Sequence, residues 1–282
     1  MKLCRYGKPG YEKPGLIDAE GRLRDLSKVV DNIGPNEISP RGLKMLSRVK
    51  PETLPPVNGG PRLGVPYVGI GKFVAIGLNY SDHAKEAGLP IPSEPIVFMK
   101  ATTCISGPSD DVIQPKNSTK LDWEVELGVV IGSQARYVDE AAALGHVAGY
   151  CIVNDVSERA FQMATTQWDK GKGFDSAGPI GPWLVTTDEI RDPQTLNMAL
   201  EVNGKRMQTG NTRTMVFSVA KIISHVSHYM TLLPGDIIAT GTPPGVGLGI
   251  KPTPVFLKPG DVMQLTIQGL GEQRQKVVGF RE

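Results

Sequence analysis

The sequence predicts an α+β protein built around a rolled, mixed β-sheet. Apolar segments of strand length follow one another closely beyond residue 66, while helical segments are few and short. Strands and helices do not alternate regularly, which favours a closed or rolled sheet over a doubly wound one. The 33 glycines and 23 prolines are dispersed between the apolar segments, as is typical of a turn-rich β architecture.

Two domains of unequal size are expected. Residues 1–65 contain a strand pattern at residues 2–6 and a helical pattern near residues 40–49, and they predict a small N-terminal domain. The proline-rich stretch at residues 54–61 predicts a linker. Residues 66–282 then form the main domain.

The elements of the main domain follow from its apolar segments and turn residues. Strands are predicted at residues 73–78, 96–100, 123–131, 146–155, 181–186, 196–202, 236–240 and 261–267. Helices are predicted at residues 81–87, 138–144, 158–165 and 219–229. Pro-Gly-Asp occurs at residues 234–236 and 259–261, so the C-terminal third is expected to run through hairpins.

Composition and charge exclude several classes of protein. The 31 basic and 29 acidic residues give a formal charge of +2 without a basic cluster, so no nucleic acid partner is expected. No apolar stretch has the length of a membrane span or a signal peptide, which predicts a cytoplasmic protein with no membrane partner. Cys4, Cys104 and Cys151 lack paired spacing, so disulfides and a thiolate metal site are not expected.

Three acidic residues form a candidate metal site. Glu124 and Glu126 are separated by one residue in a predicted strand, so their side chains share a face, roughly 7 Å apart. Asp155 ends an apolar segment typical of a buried strand, so it is expected to lie at the edge of the sheet. Carboxylates this close repel one another unless a cation joins them, and an all-oxygen set suits Mg²⁺ or Mn²⁺ better than Zn²⁺. The alternative is an ordinary solvated face of an antiparallel strand.

A second candidate group lies on the first predicted helix of the main domain. His83 and Glu86 are three residues apart and share one helix face, where a carboxylate raises the basicity of the imidazole. This arrangement is used to take a proton from water. Ser81 or Asp82 is expected to cap the helix and Gly88 to end it. A solvated surface helix explains the same residues equally well.

Two further segments are loops that can approach an anion. Lys170 and Lys172 lie in a glycine-rich stretch at residues 168–179, where an ammonium group can come close to a bound anion. Thr242 follows a predicted strand in residues 240–247, whose turns can present backbone N–H groups and a hydroxyl as a small anion nest. Solvated lysines and a plain tight turn are the alternatives.

Together these segments resemble the fumarylacetoacetate hydrolase family over roughly residues 70–270. The motifs that carry the resemblance occur in family order and are Gly77-Leu-Asn-Tyr-Ser-Asp-His-Ala-Lys-Glu86, Phe98-Met-Lys100, Asp122-Trp-Glu-Val-Glu-Leu-Gly128, Asn154-Asp-Val-Ser-Glu-Arg-Ala-Phe-Gln162, Gly171-Lys-Gly-Phe-Asp-Ser-Ala-Gly-Pro179 and Ala239-Thr-Gly-Thr-Pro-Pro-Gly-Val-Gly247. One position departs from the pattern, because Leu78 stands where many acylpyruvate-cleaving members carry Arg.

The resemblance implies a rolled mixed-sheet catalytic domain behind a small N-terminal domain, usually as a homodimer. It implies that a His–Glu pair activates water, that a lysine stabilises developing negative charge and that a Mg²⁺-type ion is bound. The implied residues are Glu124, Glu126 and Asp155 for the metal, His83, Glu86 and Lys172 for catalysis, and Gln162, Thr242, Lys100 and Arg159 for the substrate.

The implied reaction is hydrolysis of the C3–C4 bond of a 2,4-diketo acid, which yields pyruvate and a second acid. The substrate is thus a small 2-oxo acid. Similarity to bacterial members of sugar-acid breakdown favours 2,4-diketo-3-deoxy-L-rhamnonate or L-fuconate, which release a hydroxy acid. Ureidoglycolate lyase and oxaloacetate decarboxylase activities are alternatives that use the same metal site. A metal-binding protein without activity is disfavoured because every expected catalytic residue type is present.

Overall fold

The computed structural model describes the backbone of residues 1–282 and every side chain except that of Ala87. It confirms the α+β class, with mixed sheets and short helices.

The strands are β1 Lys2–Tyr6, β2 Lys13–Ile17, β3 Leu23–Asp25, β4 Phe73–Gly77, β5 Ile96–Lys100, β6 Ile105–Ser106, β7 Val112–Gln114, β8 Leu121–Asp122, β9 Val125–Ile131, β10 Val147–Asn154, β11 Ser157–Glu158, β12 Gly178–Thr186, β13 Asn197–Val202, β14 Lys205–Asn211, β15 Ile237–Ala239, β16 Val262–Ile267 and β17 Gly271–Gly279. The helices are α1 Pro40–Leu46, α2 Ser81–Ala87, α3 Glu140–Ala143, α4 Arg159–Gln162, α5 Asp169–Lys172 and α6 Val219–Tyr229.

The main sheet has ten strands and is rolled. Nine of them follow the order β3-β2-β1-β12-β10-β9-β15-β4-β5. The tenth, β6, comes shortly after β5 in sequence but pairs parallel with β12. The chain therefore returns from the outer strand β5 to the middle of the sheet, and this return closes the roll that the sequence predicts.

The strands of residues 1–65 extend the main sheet. β1 pairs antiparallel with β12, which sets Leu3 opposite Leu184, and β2 and β3 continue the sheet outward. Leu3 and Leu26 are fully buried in the same core as Leu184. The boundary predicted at residue 65 thus separates segments that share one sheet and one core. That residues 1–65 form a domain of their own stays a prediction.

The central strands β9 and β10 are buried along their whole length. A five-stranded sheet, ordered β14-β13-β16-β17-β7, packs against β9, β10 and β12. Helix α6 buries Ile222, Ile223 and Val226 in the core and packs against α3. Strands that are covered on both faces have nearly continuous apolar sequences, which is why β9 and β10 are recognisable in the sequence.

Strand direction brings several connections to one end of the rolled sheet. β4 and β15 are parallel neighbours, and both β15 and β10 run antiparallel to β9, which lies between them. The residues that follow β4, β10 and β15 therefore meet the residues that precede β9. These connections carry His83, Asp155, Thr242 and Glu124.

Several predicted elements differ from the structure. The strand predicted at residues 123–131 starts only at Val125, after a break that follows β8, and the helix predicted at residues 158–165 is the single turn α4. The glycine-rich stretch that holds Lys172 is not a loop there, because residues 169–172 form α5. Tyr80 is the N-cap residue of α2 in place of Ser81 or Asp82, and its side chain makes no capping hydrogen bond, whereas Gly88 ends the helix as predicted, with φ 68°.

No helix within the described residues combines the length and the apolar character needed to span a bilayer.

Candidate active site

The predicted site residues converge on one polar cavity of about 70 Å³ at this end of the sheet. Those that line the cavity are His83, Glu124, Glu126, Arg159, Gln162, Lys172 and Thr242. The other three contact the lining residues: Glu86 pairs with His83, Asp155 pairs with Lys172, and Lys100 donates to the backbone carbonyl oxygen of Lys172. Lys170, the alternative lysine of the glycine-rich stretch, is exposed.

Strand pairing brings the three acidic residues together. Glu126 lies opposite Val153 in the β9–β10 pair, and the backbone N–H of Asp155 donates to the carbonyl oxygen of Glu124 at 3.0 Å. Glu124, Glu126 and Asp155 are all buried, and one oxygen from each lies within 4.8 Å of the other two. Acidic side chains on a solvated strand face, the alternative interpretation, are therefore excluded.

The cluster fits a hard divalent cation. Oxygens that bind Mg²⁺ lie about 2.1 Å from the ion, so two of them are at most about 4.2 Å apart. The observed separations reach this range with side-chain adjustments of well under 1 Å. The cluster contains only carboxylate oxygens, a set that favours Mg²⁺ or Mn²⁺ over thiolate-preferring or imidazole-preferring metals.

Two buried ammonium groups neutralise part of the negative charge. Nζ of Lys172 donates to Oε2 of Glu124 at 2.8 Å and to Oδ2 of Asp155 at 2.7 Å. Nζ of Lys100 donates to Oδ1 of Asp155 at 2.6 Å and to the backbone carbonyl oxygen of Lys172. Asp155 is thus shared by two lysines that come from different parts of the chain.

Helix α5 places Lys172 by packing closely against α4. A Cβ added at Gly171 would lie 2.3 Å from the backbone nitrogen of Gln162. No other residue type fits this approach without displacing backbone. This close packing at Gly171 places Lys172 beside Gln162, with the Lys172 side chain directed toward Glu124 and Asp155. Lys170 lies at the surface.

The guanidinium of Arg159 binds three side chains of the site. Its Nε donates to Oδ2 of Asp122 at 2.8 Å, its Nη2 to Oε1 of Glu124 at 2.6 Å, and its Nη1 to Oε1 of Gln162 at 3.0 Å. Burial would lower the pKa of Arg159, but the charges of Asp122 and Glu124 outweigh burial and raise it. Arg159 is a fixed positive charge on the cavity wall.

The two glutamates differ in their electrostatic environment. Burial would raise the pKa of Glu124, but the charges of Lys172 and Arg159 outweigh it and lower that pKa to about 2. Burial, reinforced by the carboxylates of Asp155 and Glu124, raises the pKa of Glu126 well above its usual range. Among the described side chains, Glu126 forms no ion pair. A bound cation would therefore stabilise the Glu126 carboxylate more than its neighbours.

The His83–Glu86 pair forms as predicted. Nδ1 of His83 lies 3.1 Å from Oε2 of Glu86. The connection from β4 places the pair, because Leu78 adopts a left-handed φ of 51° and the next residue, Asn79, is fully buried. Nδ2 of Asn79 donates to the carbonyl oxygen of Thr240 at 2.8 Å, which fixes the start of α2 against the end of β15.

The loop of residues 241–249 binds the carboxylates of the protein itself. The backbone N–H groups of Gly241, Gly245 and Gly247 donate to Glu126, Glu86 and Asp122 at 2.7, 3.0 and 2.6 Å, respectively. A Cβ at Gly247 would lie 2.0 Å from the carbonyl oxygen of Val255, so glycine is required for this close approach. The turns thus present N–H groups to carboxylates, as predicted, but these carboxylates belong to the protein itself, and binding of a substrate anion here stays a prediction.

Thr242 lines the cavity, but its hydroxyl is already engaged. Oγ1 donates to the carbonyl oxygen of Val125 at 2.9 Å and accepts from Nε2 of Gln208 at 2.8 Å. Gln208, fully buried on β14, also accepts from the backbone N–H of Val125 at 3.0 Å. A role of Thr242 in binding the substrate stays a prediction.

Asp122 is a further residue of the site, and the sequence did not predict its role. The break in the strand between β8 and β9 turns its carboxylate toward Arg159 and the backbone N–H groups of Gly247 and Leu248. Asp122 is fully buried. Its acidic type beside the Glu-Val-Glu run was the only signal in the sequence.

Asp122→Asn is expected to lower the free energy of unfolding by about 1.5–3 kcal/mol, because a charge-assisted hydrogen bond to Arg159 is lost in a buried position. Asp175→Asn, at an exposed position, is the control and is expected to change that free energy by less than about 0.5 kcal/mol. Urea unfolding of both variants measures the difference. Equal stabilities of the two variants would contradict the anchoring role of Asp122.

The chain is similar to known proteins over most of its length. Residues 72–278 match the family described as Fumarylacetoacetate (FAA) hydrolase C-terminal. A protein of Burkholderia multivorans (strain ATCC 17616 / 249), named only provisionally as a hydrolase, is 61% identical over 276 residues, which cover 98% of each chain.

Solved structures show the same fold. Fumarylacetoacetate hydrolase (EaFAH) from psychrophilic Exiguobacterium antarcticum has a TM-score of 0.89 at 36% identity, covering 99% of this chain and 100% of that chain. Maleylpyruvate hydrolase from Sphingobium sp. SYK-6, in complex with manganese (II) ion and pyruvate, has a TM-score of 0.82 at 28% identity, covering 100% of both chains. The chain therefore belongs to the fumarylacetoacetate hydrolase family, whose members are hydrolases and isomerases.

Proposed function

We propose that this protein hydrolyses the C3–C4 bond of 2,4-diketo acids and releases pyruvate and a carboxylic acid. The observation that carries the proposal is that a carboxylate cluster and a His–Glu pair meet at one cavity, whose wall includes Glu124, Glu126 and His83. A 2,4-diketo acid has the matching chemistry, because its carboxylate and 2-oxo oxygens can bind a divalent cation while its C4 carbonyl is open to water. The neighbour that contains manganese and pyruvate supports this assignment.

Mg²⁺ or Mn²⁺ is the proposed cofactor, held by Glu124, Glu126 and Asp155. When bound, such an ion supplies positive charge beside the oxygens of a 2-oxo acid, where negative charge develops during cleavage. Among the described residues, four buried carboxylates of the site (Asp122, Glu124, Glu126 and Asp155) face three buried cations (Lys100, Arg159 and Lys172). A dication makes the local charge positive, which suits an anionic substrate.

His83 is the proposed general base. Glu86 interacts with Nδ1 of His83, so the neutral imidazole carries its proton there and leaves Nε2 free to accept a proton from water. The water oxygen bonds to C4, the C3–C4 bond breaks, and C3 takes up a proton. One water is consumed for each pyruvate and each carboxylic acid released.

The remaining polar residues of the cavity are proposed to bind and stabilise the substrate. Lys172 and Arg159 offset negative charge as it develops, in a buried setting where charges interact strongly. Gln162 is held by Arg159, so its amide nitrogen is left to donate to the acid end of the substrate. Lys100 does not line the cavity; it donates to Asp155 and to the backbone carbonyl oxygen of Lys172, and so positions the carboxylate of Asp155.

The specific substrates predicted from the sequence, 2,4-diketo-3-deoxy-L-rhamnonate and L-fuconate, belong to this proposed class. They differ from simple diketo acids in the hydroxyl groups beyond C4. Those groups would lie beyond the polar cavity, so the chemistry at C3–C4 does not depend on them.

The assay follows pyruvate release from acetylpyruvate by the EDTA-treated protein before and after addition of Mg²⁺ or Mn²⁺. We expect the metal to raise the rate by roughly 100-fold or more, because it supplies the largest electrostatic contribution in the site. A Glu126→Gln protein purified in parallel controls for contaminating hydrolases. The proposal fails if neither metal supports turnover of any 2,4-diketo acid.

A further inference from the structure

A larger chamber adjoins the polar cavity. Its volume is about 570 Å³, and its wall shares Leu78, His83, Arg159, Gln162 and Trp168 with the cavity. Because the two spaces have these residues in common, they adjoin each other, and a molecule whose acid end lies in the cavity has room to extend into the chamber. The chamber is within the range of roughly 300–1,000 Å³ that is typical of small-molecule sites.

The wall of this chamber is largely apolar. Besides Leu78 and Trp168, its side chains include Leu89, Met163, Val246, Leu248 and Pro254. Leu89 is 49% exposed and Met163 is 70% exposed. Large apolar side chains grouped at the mouth of a site favour a ligand that covers them.

The polar side chains of the wall leave little hydrogen-bonding capacity for the distal part of a ligand. They are paired with one another, and their free groups, Nε2 of His83 and the amide nitrogen of Gln162, are assigned to water and to the acid end of the substrate. His83 interacts with Glu86, and Arg159 donates to Gln162. Lys251, which is exposed, is the other charged side chain among the described residues of the wall. A hydroxyl buried here without a hydrogen-bond partner would cost roughly 1–3 kcal/mol, so a chain of several hydroxyl groups is a poor occupant.

We propose that this chamber binds the acyl group attached to C4 of the substrate and that this group is apolar, an alkyl or aryl group of several carbon atoms. The inference rests on the hydrolase function proposed above and narrows its substrate class. Diketo sugar acids carry hydroxyls on their distal groups, so they are expected to have a lower kcat/KM than apolar acylpyruvates.

The first test compares kcat/KM for acetylpyruvate, butanoylpyruvate, hexanoylpyruvate, benzoylpyruvate and 2,4-diketo-3-deoxy-L-rhamnonate with the Mg²⁺-loaded protein. Each added methylene is expected to raise kcat/KM by roughly threefold until the chamber is filled. Hexanoylpyruvate and benzoylpyruvate are expected to exceed the sugar acid by at least roughly tenfold.

The second test uses two serine substitutions at the chamber mouth, Leu89→Ser and Met163→Ser, with Leu144→Ser as the matched control. Leu144 is 43% exposed, close to the 49% of Leu89, and lies outside both the cavity and the chamber. Each mouth variant is expected to lower kcat/KM for hexanoylpyruvate by roughly three- to tenfold, mainly through KM, and to lower kcat/KM for acetylpyruvate by a clearly smaller factor, because its acyl group is shorter. The control is expected to leave both unchanged.

The outcomes separate the two proposals. Faster turnover of the sugar acid than of hexanoylpyruvate, or rates independent of acyl length, would overturn the apolar subsite while leaving the hydrolase function in place. Absence of turnover with every diketo acid would overturn the hydrolase function itself. Equal losses on both acylpyruvates in the mouth variants would indicate a structural effect and would also overturn the subsite.

Discussion

Asp155→Asn is expected to abolish pyruvate release and to lower the free energy of unfolding of the metal-free protein by about 3–5 kcal/mol. Asp155 is fully buried and accepts from Lys100 at 2.6 Å and from Lys172 at 2.7 Å. With a neutral amide in its place, Lys172 retains Glu124, but Lys100 loses the one anionic partner that it has among the described side chains. An unpaired ammonium in the core accounts for the large expected loss.

Glu126→Gln is the matched variant, because it makes the same chemical change in the same cluster. We expect it to abolish pyruvate release as well, but to leave the free energy of unfolding of the metal-free protein unchanged or higher. Glu126 forms no ion pair among the described side chains, and its charge is opposed by burial and by two neighbouring carboxylates. The amide oxygen of Gln can still accept from the backbone N–H of Gly241.

Urea unfolding in the presence of EDTA measures the stability difference, and calorimetric titration with Mn²⁺ measures metal binding. Both variants are expected to lose at least roughly 100-fold in Mn²⁺ affinity, since each removes one of three ligands. Equal losses of unfolding free energy in the two variants would contradict the charge balance described above, in which Asp155 pairs with two lysines and Glu126 forms no ion pair among the described side chains. Mn²⁺ affinity retained by Glu126→Gln would place the metal elsewhere.

Elements with strong local patterns were predictable from the sequence. The bounds of β5 and α6 agree with the prediction, and for α6 the reason is visible in the chain. Its apolar residues recur at helical spacing, and Ser218 before it accepts from the backbone N–H of Lys221. Local propensity and tertiary packing favour the same structure in these segments.

The strands β14 and β17 were missed because their patterns are polar. β17 buries Gln273 and Gln275, whose amides donate to the carbonyl oxygens of Ile152 and Pro108 at 2.8 and 2.6 Å. A buried face made of hydrogen-bonded glutamines does not show the apolar alternation by which strands are recognised. β14 is an edge strand of its sheet and carries mostly exposed or half-buried residues.

In the site, residue types were predictable but their contacts were not. Acidic residues at one-residue spacing and a His–Glu pair on one helix turn are local features. The contact of Asp122 with Arg159 joins residues 37 positions apart, and only the folded chain shows it. The selection of Lys172 over Lys170 likewise depends on the packing of Gly171 against Gln162.

His83→Ala is expected to lower kcat for hydrolysis of a 2,4-diketo acid by roughly 10²- to 10⁴-fold, the usual contribution of a general base. KM and Mn²⁺ affinity are expected to change little, because the carboxylate cluster and Arg159 remain in place. His228→Ala is the control, since His228 is exposed on α6 and lies outside the cavity. Rates of pyruvate release at several substrate concentrations measure kcat and KM for both variants.

The same variant distinguishes hydrolysis from decarboxylation of oxaloacetate. Decarboxylation also places negative charge beside the metal site, but no water attacks the substrate, so it does not need a base at residue 83. A His83→Ala protein that loses hydrolysis while retaining Mn²⁺ affinity assigns His83 to activation of water. If pyruvate release from a diketo acid continued at the original rate, the pair of His83 and Glu86 would have a structural role, with Glu86 anchoring the loop through Gly245.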